Sequence, residues 1–285
     1  VKRLLLLMST LLPILVTACG QQAAAPAPTA PAPTATPAPA PTTAAPAAKT
    51  ELTVFAAASL TDAFTAIGKP FGDANNAIVS FNFAGSQQLA QQLGQGAPAD
   101  VFASANRAQM DVAISAGRVI SGTQQTFVRN RLLVVTPLEN RAGIATLQDL
   151  AKPGLKLVFA DKAVPVGQYS LDFLDKAAQD SSFGAAYKDA VLKNVVSYEQ
   201  SVRAVLAKVQ LGEADAGIIY TSDIALDASK IQRIDIPDGL NTIANFPIAV
   251  VKDSKNAVLA QKFVDYVLSA EGQRVLASYG FLPVK

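Results

Sequence analysis

The groups in this sequence that could do chemistry are hydroxyls and backbone amides placed where apolar runs give way to amphipathic ones. Ser59 stands at such a junction in Ala58-Ser59-Leu60-Thr61-Asp62, and Ser86 at another in Gly85-Ser86-Gln87. Pro165-Val166-Gly167-Gln168 and Glu199-Gln200-Ser201-Val202 open two further helical patterns. A helix start leaves about four backbone N–H groups without an intrahelical acceptor. It also carries roughly half a positive charge, and it therefore binds anions with no basic side chain. Ser59 and Ser86 are placed to be N-caps, and Asp62, three residues after Ser59, fits a capping box. Taken singly, each junction is accounted for by capping. Only convergence of the four would make a site, and spacing along the chain does not show convergence.

The remaining inventory narrows the chemistry. There is no histidine among 285 residues, and Cys19 is the single cysteine. A Ser-His-Asp or Cys-His catalytic set is excluded, and a zinc site of His/Cys type nearly so. The formal charge of +2 is matched by Lys2 and Arg3 at the N-terminus, so the rest of the chain is close to neutral. Charge gives no support for nucleic-acid binding.

The elements that must position these junctions alternate between strand and helix. Apolar runs at Leu52–Ala58, Ala77–Phe83 and Val101–Ser104 read as strands, each followed by a helical pattern: Leu60–Phe71, Gln87–Leu93 and Arg107–Ala116. Leu132–Thr136 reads as another strand. A second series follows, with strands at Lys156–Ala160 and Ala216–Tyr220 and helices at Gly167–Gln179, Tyr187–Lys193 and Gln200–Leu211. Phe246–Val251 reads as a strand, Pro237 and Pro247 as brackets of a connecting loop, and Val258–Leu268 and Glu271–Ser278 as terminal helices. Repeated β-α units predict an α/β fold of mostly parallel sheets. Two such series in about 235 residues predict two lobes. In open α/β sheets ligands sit beyond the carboxyl ends of strands, which is where the four junctions fall.

The N-terminal part predicts export. Lys2 and Arg3 precede an apolar stretch, Leu4–Val16, too short to span a bilayer comfortably. This is the pattern of a signal peptide over residues 1–18. Val16-Thr17-Ala18-Cys19 resembles a bacterial lipobox, which implies lipidation of Cys19. Eight of the 17 prolines lie in residues 20–50, with Ala and Thr between them. That composition predicts an extended tether rather than a core.

Several segments, in order, carry a family resemblance. Val54-Phe55-Ala56-Ala57-Ala58-Ser59-Leu60-Thr61-Asp62-Ala63-Phe64 resembles the opening signature of the periplasmic molybdate-binding proteins. Phe83-Ala84-Gly85-Ser86-Gln87-Gln88-Leu89-Ala90 is similar to their second serine segment, and Gly96–Ala105 to the strand after it. Val164-Pro165-Val166-Gly167-Gln168-Tyr169, Gly217-Ile218-Ile219-Tyr220-Thr221-Ser222-Asp223 and Ser269-Ala270-Glu271-Gly272-Gln273 resemble three further family segments. The likeness runs from about Glu51 to Leu282. It implies a type II periplasmic-binding fold, with lobe 1 from 51–130 plus 246–285 and lobe 2 from 131–245. It implies an oxyanion site made by Ser59 and Ser86 through hydroxyl and N–H, Val166 and Val202 through N–H, and the Tyr220 hydroxyl. Together with the lipobox it implies a lipid-anchored extracytoplasmic protein, expected as a monomer, that binds molybdate or tungstate, uses no cofactor and serves an ABC permease and its ATPase. Gly85, Gln87 and Val166 depart from the family pattern, and residues 180–190 look longer than usual.

Other readings remain open at this stage. A different tetrahedral anion, sulfate or phosphate, suits the same fold, although protonated phosphate calls for an acceptor and none of the five contacts is a carboxylate. An enzyme on this fold of the hydroxymethylbilane synthase kind attaches its cofactor through a folded-domain cysteine, which this chain lacks. A non-transport surface lipoprotein would bind no anion.

Overall fold

The computed structural model describes residues 48–226 and 228–284. The signal peptide, Cys19 and all but the end of the proline-rich segment lie outside the described residues.

Two five-stranded sheets form the frame. The first holds β1 (Thr50–Ala57), β2 (Ala77–Ala84), β3 (Val101–Ala103), β4 (Gln125–Asn130) and β10 (Ala244–Val250), in the order β2-β1-β3-β10-β4. The second holds β5 (Leu132–Pro137), β6 (Leu157–Ala160), β7 (Val195–Glu199), β8 (Ala216–Tyr220) and β9 (Ile231–Asp235), in the order β7-β6-β8-β5-β9. Helices α1 (Thr61–Ala74), α2 (Ser86–Gly94), α3 (Arg107–Ser115), α7 (Ala257–Leu268) and α8 (Ala270–Ser278) accompany the first sheet. Helices α4 (Pro165–Gln179), α5 (Tyr187–Lys193) and α6 (Val202–Gln210) accompany the second.

The α/β reading holds, but the sheets are mixed rather than mostly parallel. β1 pairs in parallel with β2 and β3, and β6 with β7 and β8. β10 runs antiparallel to β3 and β4, and β5 antiparallel to β8 and β9. The antiparallel strands β4, β5, β9 and β10 adjoin the two places where the chain passes between sheets, Asn130 to Leu132 and Asp235 to Ala244. A strand entering from the other sheet arrives without a βα crossover and is free to run either way.

Burial explains which strands stand out in the sequence. β5, β6 and β8 read LLVVTP, LVFA and AGIIY and are buried almost throughout. Strands covered on both faces need such continuous apolar runs. β4, β7 and β9 are edge strands, exposed at alternate or terminal positions. Their polar residues hide them from a search for apolar runs. Pro247 lies within β10, not in a loop, at a register shift between Phe246 and Pro247. A bulge is where a strand tolerates a residue with no N–H.

Each crossing carries a buried asparagine. Asn130 donates from Nδ2 to Ser222 Oγ (2.8 Å) and accepts from Thr221 Oγ1 (2.9 Å). Asn241 donates to the Leu132 carbonyl (2.9 Å) and accepts from the Leu132 N–H (3.1 Å). Its amide thereby replaces a strand neighbour for β5 and joins one crossing to the other. Phe64, Phe71, Phe127, Phe246 and Phe263 are buried on the first sheet, with ring centroids 5.1–6.5 Å apart in successive pairs.

Candidate functional site

The chain leaves β1 into a short 3₁₀ turn, Ala58–Leu60, before α1 begins at Thr61. Ser59 sits in that turn and is buried, and its Oγ has no hydrogen-bond partner. It is not an N-cap: neither the turn nor α1 has a side-chain cap. Ser86 is the first residue of α2, and Gly85 holds the N-cap position. Buried Ser86 Oγ accepts from the Ala105 N–H (3.0 Å). That bond occupies an oxygen lone pair and leaves the hydroxyl proton to donate elsewhere. Both serines expected as caps thus hold their hydroxyls away from capping.

On the second lobe, Pro165 opens α4 and Val166 follows it. Proline at the first position costs no hydrogen bond and presets φ. Gly167 lets this turn press on the end of β6: a Cβ there would lie 2.1 Å from the Asp161 carbonyl oxygen and 2.5 Å from that of Ala160. Val202 is the first residue of α6, capped by Ser201, whose Oγ accepts from Ala204 N–H (3.3 Å). Tyr220 ends β8 beside Leu132, at the crossing, with its ring edge-on to Phe246 at 5.6 Å. It is 1% exposed, and its hydroxyl has no partner. Burial, with Tyr169 and Asp223 nearby, pushes that phenol well above its usual range. It stays a donor at any physiological pH.

Ser59, Ser86, Val166, Val202 and Tyr220 all line one small cavity, together with Ala57, Ala58, Gly85, Ala105, Val164 and Pro165. No carboxylate and no basic side chain is among these residues. At about 10 Å³ the cavity has room for about one water. Larger depressions of about 440 Å³ beside Leu138 and Leu211 and about 260 Å³ beside Phe159 and Leu171 lie elsewhere. Neither is lined by any of the buried, partnerless polar atoms of the described residues.

The lobes meet around this cavity through contacts that sequence reading missed. Gln87 Nε2 donates to the Gln200 carbonyl (2.9 Å), and Gln109 Nε2 to that of Ala163 (3.0 Å). Arg203 Nη2 donates to Asp62 Oδ2 across the lobes (2.6 Å). Arg203 Nε lies 3.2 Å from Asp223 Oδ1, close enough for an ion pair but not aligned as a hydrogen bond. Asp62 therefore serves this pair and not the capping box expected of it. The partners across the lobes are 54–141 residues apart, and no local pattern marks them.

Asp223 accepts from the Tyr220 N–H at Oδ2 (3.1 Å). Burial raises its carboxyl to about 6, against the downward pull of Arg203 and that amide, with Asp62 adding a small upward push. The folded state thus holds this proton more tightly than the unfolded chain. Its contribution to stability is full below about pH 4, falls as pH rises through about 6, and is flat above. Asp223→Asn should therefore gain on the unsubstituted protein between pH 4 and 7, by at most about 3 kcal/mol. Denaturant unfolding of both at the two pH values measures that gap, and an unchanged gap would contradict the raised carboxyl.

A model for bacterial extracellular solute-binding proteins matches residues 52–282. This chain belongs to that family. Among the relatives of this solute-binding protein is the molybdate-binding protein ModA of Mycobacterium tuberculosis, 40% identical over 231 residues, covering 81% of this chain and 84% of the relative. The molybdate-binding protein ModA of Escherichia coli is 31% identical over 237 residues, covering 81% and 88%. The Azotobacter vinelandii periplasmic molybdate-binding protein superposes with a TM-score of 0.70 at 18% identity, covering 82% of this chain and all of that one. At that identity the likeness speaks for the fold alone. No described helix is long and apolar enough to cross a membrane.

Proposed function

We propose that this protein captures molybdate, and tungstate as well, outside the cytoplasmic membrane and delivers it to an ABC importer. The observation that carries this reading is the cavity in which two serines, two helix-start valines and one buried tyrosine hydroxyl come together without a single carboxylate. A fully ionised tetrahedral oxyanion offers only acceptors, and this lining can meet it with hydroxyl and amide donors while placing no negative charge against it. An anion that carries a proton would need an acceptor there. The ModA relatives support the choice of molybdate.

In this reading Ser59 and Ser86 give hydroxyl and amide protons from lobe 1 (51–130 plus 246–285). Val166, Val202 and Tyr220 give amide and hydroxyl protons from lobe 2 (131–245). The two crossings act as the hinge. A cavity of about 10 Å³ admits the anion only when the lobes part. Closure then brings the second set of donors and excludes water, where each bond to the charge is strongest. Selectivity over sulfate comes from size, because a smaller anion cannot reach all donors at once. Molybdate and tungstate are nearly alike in size and shape. Lipidated Cys19 holds the protein at the membrane, near the permease and its ATPase. The protein is a binding component and not an enzyme.

Thermal unfolding of the chain with molybdate, tungstate, sulfate or phosphate tests this. A ligand at about 100 times its dissociation constant adds roughly 2.7 kcal/mol, or about 5–10 °C for a protein of this size. A shift with molybdate and tungstate alone is expected. A shift with sulfate alone would replace the ligand, and no shift with any would remove the binding reading.

A further inference from the structure

Asp62, Arg203 and Asp223 form a chain of charges behind the anion cavity, and none of the three lines it. Asp62 lies in the first turn of α1 on lobe 1. Arg203 is the second residue of α6, and Asp223 follows β8, both on lobe 2. A cation in the first turn of a helix opposes the macrodipole, so Arg203 is misplaced by the local rules of α6. What compensates it is tertiary: one carboxylate from its own lobe, with a fully buried side chain, and one from the other lobe. Asp223 alone would give Arg203 an ion-pair partner within lobe 2. The Arg203–Asp62 half exists only while the lobes are together, since its two ends stand on different lobes.

The same residues adjoin the anion donors. Arg203 follows Val202, Asp62 lies three residues after Ser59, and Asp223 holds the Tyr220 N–H. A force across Arg203–Asp62 therefore acts on the segments that carry donors from both lobes.

We propose that Asp62, Arg203 and Asp223 are an inter-lobe clasp that sets how long the bound oxyanion is held, without touching it. Asp223 anchors the guanidinium on lobe 2 and aims its far end across the cleft, and Asp62 closes the pair. Arg203 and Asp62 are positioning residues. The clasp rests on the oxyanion-binding reading above. The Arg203 and Asp62 side chains are about a third exposed (31% and 37%), so the pair is screened in part and its effect is moderate.

Asp62→Asn separates the clasp from a purely electrostatic role. It leaves Arg203–Asp223 in place and changes a position about a third exposed. Removing a negative charge near a dianion would by itself slow release. Loss of the clasp speeds it. The measurement is molybdate association and release by stopped-flow tyrosine fluorescence on the purified chain, at low and high salt. Expected for Asp62→Asn is release roughly three- to tenfold faster, with ligand-free unfolding unchanged and capture no slower. Asp62→Glu should restore most of the retention. Salt should speed release from the unsubstituted protein and barely affect Asp62→Asn. Release from Asp62→Asn at the original rate or slower, with molybdate still bound, would overturn the clasp and leave the binding reading standing. Failure of the unsubstituted chain to bind any oxyanion would overturn both.

Discussion

Gly85→Ala should weaken molybdate binding by about a hundredfold while leaving the ligand-free protein nearly as stable as before. The methyl group would lie 2.3 Å from the Gln200 carbonyl oxygen. That oxygen is backbone on the opposite lobe, at the turn leading into α6, and cannot swing aside. The Gln87 side-chain atoms at 2.5 and 2.6 Å can. Gly85 itself has φ −58° and ψ 137°, which alanine adopts without strain. As an N-cap residue alanine costs α2 about 1 kcal/mol at most, partly offset by a stiffer unfolded chain. The conflict therefore lies between lobes, and parting them relieves it. If closure becomes about 3 kcal/mol less favourable, the apparent dissociation constant rises by roughly a hundredfold. Calorimetric titration with molybdate, beside thermal unfolding without it, measures both halves. Unaltered affinity in Gly85→Ala would mean that binding does not need the Gly85–Gln200 approach. The absence of a side chain at Gly85, one of the departures from the family pattern, is thus what lets the lobes meet, and Gln87 ties the same carbonyl down.

Tyr220→Phe and Ser59→Ala should each move stability in opposite directions with and without ligand. Both hydroxyls are buried and partnerless within the protein. A buried polar group left unpaired costs about 1–3 kcal/mol, so removing it should stabilise the ligand-free protein, by about 1 kcal/mol for Tyr220→Phe. With a dianion in the cavity the same hydroxyl makes a charge-assisted bond worth about 1.5–3 kcal/mol. Losing it weakens molybdate binding about ten- to hundredfold. The effect should be larger at Tyr220, whose 1% exposure and Phe246 contact fix the ring. The same substitution at Ser201, whose hydroxyl caps α6, should instead destabilise the ligand-free protein by about 1 kcal/mol. Unfolding curves of the three variants with and without molybdate distinguish the two behaviours. A loss of ligand-free stability in Ser59→Ala matching that of Ser201→Ala would return Ser59 to an ordinary structural role.

Much of the frame was legible because its strands and helices are buried in patterned ways. β1, β3, β5, β6 and β8 are nearly continuous apolar runs, and the helices between them keep a helical period. Of the edge strands, β2 was legible and β4, β7 and β9 were not, since polar residues interrupt each of those three short segments. The donor residues themselves came from family resemblance, because a valine chosen for its N–H has no chemical signature in its side chain. The capping roles assigned to Ser59, Ser86 and Asp62 followed from local rules. At these three positions the fold sets local rules aside: Leu60 and Gly85 hold the cap positions, and Asp62 pairs across the cleft.

The sequence by itself excluded catalysis by a Ser-His-Asp or Cys-His set, since there is no histidine. It also determined an α/β chain with helix starts at the ends of its strands, because propensity, periodicity and capping act over a few residues. Tertiary structure alone decided that four helix starts and one strand end line the same cavity. It alone decided that Gly85 faces the Gln200 carbonyl and that Arg203 lies between Asp62 and Asp223. These contacts join residues 20–141 positions apart, and their geometry depends on how two sheets are hinged, which no local pattern encodes.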